Sequence, residues 1–115
     1  MMDADKHVLG AASFYSKSYF FNDLEFAGLP QGVQDELKIL LVEAAEYTMG
    51  VVMAGFTTGG ETFVEASGAP EDFEYDEIGA KYHINGIVKD QEAFLQSLSL
   101  WYNLVINTNL QPKSH

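Results

Sequence analysis

Apolar positions along the chain change period several times, and each change marks an element. Between His7 and Asn22, the small apolar run Val8-Leu9-Gly10-Ala11-Ala12 gives way to turn residues at Ser13 to Ser16, and Lys17-Ser18-Tyr19-Phe20-Phe21 returns. That pattern predicts a β-hairpin. A period of two along its second strand places Tyr15, Lys17, Tyr19 and Phe21 on one face and Phe14, Ser16, Ser18 and Phe20 on the other. Beyond Leu29-Pro30 the spacing becomes helical: Val33, Leu37, Leu40, Leu41, Ala44 and Thr48 recur before Gly50. Proline suits the first turn and glycine the position after the last, while Asp35 and Glu36 sit where the helix dipole favours anions. Ile39 and Val42 widen the apolar stripe, so this helix is expected to be buried on more than one side.

A second hairpin follows, with Val51 to Phe56 and Glu61 to Ser67 joined through Thr57-Thr58-Gly59-Gly60. Ser67-Gly68-Ala69-Pro70 breaks the chain, and Ile78 to Ile84 predicts a short helix closed by Asn85-Gly86. A last helix is expected from Asp90 as N-cap, with Glu92 in its first turn. Phe94, Leu95, Leu98, Trp101, Tyr102, Val105 and Ile106 form its apolar face, and Glu92, Gln96, Ser99 and Asn103 a stripe expected to be wet. Strands arriving in hairpins, not singly between helices, predict an α+β domain. Its mostly antiparallel sheet of about four strands would pack against two long helices and one short one.

Composition narrows the class. The 115 residues suit one domain spanning 1–115, with residues 1–6 and 111–115 as loose termini. Hydrophobic residues at 47% and aromatics at 13% are enough for a core. The absence of cysteine removes disulfides, thiolate metal sites and cysteine nucleophiles. MMDADKHVLG places acids ahead of its first apolar pair, unlike a signal peptide, and Ile39-Leu40-Leu41-Val42 stops at Glu43, too short to span a membrane. A cytoplasmic location is the expectation. Seventeen acids against six bases give a net charge of −11, which argues against nucleic acid and anionic membrane as partners. A protein partner, a divalent cation or simple solubility remain.

The charge gathers in EDFEYDE, residues 71–77. An EF-hand loop counted from Asp72 fails where Glu77 replaces the turn glycine and where His83 replaces the closing glutamate. Read as a strand, Asp72, Glu74 and Asp76 share a wet face with Phe73 and Tyr75 packed inward; read as a helix start, Asp76 and Glu77 answer the dipole. Asp72, Glu74, Asp76, Glu77 and His83 are therefore the candidates for a weak divalent-cation or small-molecule site. Glu43 and Glu46 lack the histidine partners of a di-iron site. Gly55 to Gly60 lacks the Lys-Ser/Thr ending of a phosphate loop, and the surroundings of Ser67 lack the first glycine of a nucleophile elbow. Nothing calls for a cofactor.

Four stretches, Leu9-Gly10-Ala11-Ala12-Ser13, Tyr19-Phe20-Phe21-Asn22, Tyr75-Asp76-Glu77-Ile78-Gly79 and Leu98-Ser99-Leu100-Trp101-Tyr102, together resemble a small uncharacterised bacterial family, a domain of unknown function of about this length. The resemblance covers most of the chain and implies a stand-alone bacterial cytoplasmic protein. It brings no assigned functional residue. It also suggests a structural reason for Tyr75 to Gly79, a helix start whose Tyr and Ile pack while its acids cap.

No reaction is specified by these residues. The expectation is a small acidic non-enzymatic protein-interaction module, self-associating as a two-fold dimer, with Tyr15, Tyr19, Phe21 and Trp101 as the contact residues. The alternative is a small-molecule or divalent-cation binder using residues 71–77.

Overall fold

Both hairpins form as expected, and their inner strands join them into one sheet. In the computed structural model, which describes residues 6–107, β1 (Lys6–Ser13) and β2 (Ser18–Phe21) make the first hairpin, and β3 (Val51–Thr57) and β4 (Thr62–Ser67) the second. Pairing of β1 with β3 gives the strand order β2-β1-β3-β4, antiparallel throughout. Two helices follow each hairpin: α1 (Asp23–Phe26) and α2 (Gln31–Thr48) after the first, and α3 (Glu77–Asp90) and α4 (Glu92–Trp101) after the second, the last running into a π-helical turn, Tyr102–Asn107. The fold is α+β. Residues 1–5 and 108–115, and with them most of the expected loose termini, lie outside the described residues, while Lys6 already pairs with Thr57.

The two faces of the sheet have different fates. On β3, Val52, Ala54 and Phe56 are all 0% exposed, while Met53 between them and Val51 and Thr57 at the strand ends are partly exposed. Cross-strand register extends the inner rows as Tyr19–Ala12–Val52–Ala66 and Phe21–Gly10–Ala54–Val64. The β1–β3 register slips between Val8 and Gly10, so Leu9 and Gly10 are both buried in succession. At Gly10 a Cβ would lie 3.3 Å from the Leu41 side chain, so the glycine lets α2 settle close to the sheet.

All the long helices bury their apolar sides against this inner face. Leu37, Leu40, Leu41, Ala44 and Ala45 of α2 join Ile84 of α3 and Leu95 and Leu98 of α4 in one core with Leu9, Ala12, Val52, Ala54, Phe56 and Val64. Ile39, expected to be buried, is 59% exposed. Of the two residues that widen the stripe, Val42 is partly buried against the core and only Ile39 faces solvent, because every helix lies on one side of the sheet and none covers that part of α2.

One end of the core is aromatic. Phe56 stacks on Tyr102 at 4.1 Å between ring centres, and Phe26 lies 5.7 Å from Phe56. His7 bridges two elements here, its Nε2 against the Glu25 carboxylate and its Nδ1 3.2 Å from the Tyr102 hydroxyl. A carboxylate only accepts, so Glu25 keeps a proton on Nε2, and in the neutral ring the phenol donates to Nδ1. Burial, and then the Glu25 charge, hold the Tyr102 phenol above its ordinary pKa. The short helix α1, which brings in Phe26, has no counterpart in the periodicity.

Two helix boundaries differ from expectation. α3 continues through Asn85-Gly86 to Asp90, so Asp90 ends one helix and does not cap the next. Interior glycine costs about 1 kcal/mol of helix propensity; Ile84 and Ile87, packed on either side of the pair, offset it. Ser99 and Asn103, expected in water, are part-buried ties to the second hairpin. The Thr62 amide donates to the Ser99 hydroxyl at 2.9 Å, and Asn103 donates to the Gly60 carbonyl at 3.2 Å.

Phe56→Ala, which removes the ring shared by sheet, α1 and π turn, is expected to destabilise the fold by about 3–5 kcal/mol, measured by urea unfolding. A loss below about 1 kcal/mol, the level of an ordinary surface change, would remove this cluster from its central place.

Candidate functional site

The acidic stretch is built into the fold by tyrosines and glycines. The Tyr75 ring lies against the backbone of Gly50 and Gly68, where a Cβ on either glycine would collide with it. That close approach explains Gly50: the left-handed residue ending α2 is Met49, with φ 57°. Tyr15 closes the loop from the other side. Its hydroxyl donates to Asp72 Oδ2 at 2.7 Å and accepts from the Ala69 amide at 3.0 Å. The Ala69 amide pulls the Tyr15 pKa down, but desolvation and the bonded Asp72 carboxylate outweigh it, so the phenol stands above its ordinary value. Asp72 Oδ1 also accepts from the Glu74 amide, and Asp76 Oδ1 caps α3 by accepting from the Gly79 amide at 2.9 Å.

EDFEYDE is thus a fastened loop followed by a helix cap. Tyr75 packs as expected, and desolvation, followed by nearby Tyr15, Glu77 and Asp76, raises its pKa. Phe73 and Ile78, expected to pack, are 94% and 85% exposed. The loop leaves the sheet before residue 72, so the strand alternation that would have turned Phe73 inward never applies.

Asp72, Glu74, Asp76 and His83 do come together, around a cleft of about 350 Å³ between the loop, the end of α2 and α3. Glu77 lies outside it. Exposed His83 stacks on Tyr47 at 5.7 Å, and among the described residues no three His, Asp or Glu side chains are placed to share a metal ion.

The four aromatic candidates do not share a surface. Lys17 has φ 54°, which breaks the alternation, and β2 begins only at Ser18. Tyr15 therefore belongs to the turn and the acidic loop. Tyr19 and Phe21 point inward and pack against the core, Tyr19 with a buried hydroxyl that meets no protein partner and a phenol raised by burial. Trp101 is half-buried, 6.2 Å from Phe26.

What lies outward is the other face of the sheet. The rows Phe20–Ala11–Met53–Glu65 and Val8–Gly55–Phe63 run across it, with Val51 beyond. Phe20 is 54% exposed. A Cβ on Gly55 would meet the Phe63 ring, which lies over it, and Lys6 sits 5.1 Å above that ring while pairing with Glu65. The helices reach the opposite face. The period-of-two count that located Tyr19 and Phe21 already contained Phe20; the direction of the face was the missing piece.

Tyr15→Phe keeps the ring and removes both hydrogen bonds to the loop. It is expected to speed amide exchange at Ala69, Glu74 and neighbouring loop residues and to cost about 1 kcal/mol. Unchanged exchange there would show that the Tyr75 seat alone holds the loop.

Among the described residues no helix is long and apolar enough to cross a membrane. No curated protein and no solved structure matches the chain. One family model does, over residues 6–110, and it places the chain in a family of unknown function, DUF6145.

Proposed function

We propose that this chain is a protein-interaction module of the cytoplasm, working by contact through the outer face of its sheet. The observation that carries the reading is the mismatch between strand sequence and strand cover. β1 and β3 contain VLGAA and VVMAGF, near-continuous apolar runs of the kind found in strands covered on both faces. The helices of this chain cover one face. Val8, Ala11, Phe20, Val51, Met53 and Phe63 make up the apolar part of the other, and a contiguous patch of this kind marks an interaction surface. The partner is a protein surface of low net charge, a second copy of the chain included. An ion or small molecule in the α2–α3 cleft has less behind it, because Asp72 and Asp76 already accept from the loop and helix they hold.

A photoreactive amino acid placed at Phe20 or Phe63 tests this in the cells that make the protein. Adducts to protein are expected there and not at Ile39 on the helix side. Adducts concentrated at Ile39 or at Phe73, or none at Phe20 and Phe63, would overturn the reading.

A further inference from the structure

We infer that the partner this face is shaped for is a second copy of the same chain, packed sheet to sheet about a two-fold axis; the inference rests on the interaction reading above. The distribution of charge favours a second copy. The chain carries −11, yet within its four strands the only Asp or Glu is Glu65 and the only Lys or Arg is Lys6, and these two pair with each other, while His7 turns to Glu25 on α1. The remaining described carboxylates lie on helices, turns and the 71–77 loop. A basic partner would be drawn to that acidic side, around Asp72, Glu74 and Asp76. A neutral apolar face on so acidic a molecule suits a partner that is itself acidic, because contact there adds least to the mutual repulsion. A second copy has this property by construction.

The layout of the face allows a two-fold pairing. Phe20 stands on edge strand β2 and Phe63, whose ring lies over Gly55, on edge strand β4, with Val8, Val51 and Met53 on the middle strands between them. With a two-fold axis parallel to the strands, β2 of each copy lies over β4 of the other, and the same patch serves both copies. Sheets of this kind stack about 10 Å apart with their inward side chains interleaved.

Size sets the strength. Four strands about 4.8 Å apart, each about six residues long, present roughly 400 Å² per copy. That is roughly 800 Å² in total, below the roughly 1,200–2,000 Å² of stable complexes. The pairing is therefore reversible and depends on concentration.

Sedimentation velocity of the full chain, from micromolar to millimolar, tests it. The mass is expected to rise from monomer to dimer, and added salt to strengthen association by screening the repulsion while leaving the apolar contact intact. Met53→Glu sets like charges face to face and is expected to weaken association by about 100-fold or more, with an unchanged unfolding midpoint because Met53 is part-exposed. Ile39→Glu, on the helix side, leaves association unaltered. A wild-type monomer at every concentration, or a dimer broken by Ile39→Glu and not by Met53→Glu, overturns the inference. A monomer that crosslinks from Phe20 or Phe63 to a different protein overturns self-pairing and leaves the interaction module standing. A monomer without those crosslinks removes both.

Discussion

β3 lies at the centre of the sheet with a strand on each side, and the fold depends on the burial of three alternate residues along it. Val52, Ala54 and Phe56 meet α2 and the aromatic end cluster on a single face, and full burial of a Val or Phe side chain is worth about 1.5–3 kcal/mol. The helices follow from that face: Gly10 lets α2 approach, Thr62 and Ser99 fix α4 to the second hairpin, and His7 holds α1 and the π turn at the end. All of the helical cover is committed to one side. The outer rows on the same strands are left without helices, and they are apolar too.

The same arrangement separates charge from apolar surface. Carboxylates are held where local donors or helix starts accommodate them, as at Asp72 beside Tyr15 and at Asp76 before α3. The strands are left nearly uncharged. In a molecule of −11, that division leaves an acidic helix-and-loop side and a nearly neutral sheet face, where contact with another acidic molecule would meet the least repulsion.

Much of the architecture was legible in the sequence because period changes and glycine-rich turns are local. Both hairpins, α2 and the antiparallel sheet follow from them, as does Asp76 at a helix start. The less legible parts depend on tertiary context. Lys17 adopts a left-handed conformation that no composition rule requires, and this detaches Tyr15 from the row of Tyr19 and Phe21. On β2 both rows carry aromatics, and on β3 both are apolar, so alternation alone does not say which faces the helices. Ser99 and Asn103 read as wet until the second hairpin supplies their partners. The carboxylates at 71–77 were visible as a cluster, but their engagement by Tyr15 and by backbone amides was not.

The most direct test of the outer face is its access to solvent, read by NMR from the Met53 methyl with a soluble paramagnetic agent as protein concentration is raised. The Met53 methyl is expected to broaden strongly in dilute protein and to be protected in concentrated protein, with the Ile39 methyls broadened throughout. A Met53 methyl shielded even at high dilution would mean that the chain covers this face itself. One equally exposed at every concentration would mean that no second copy covers it, and either result would contradict pairing through this face.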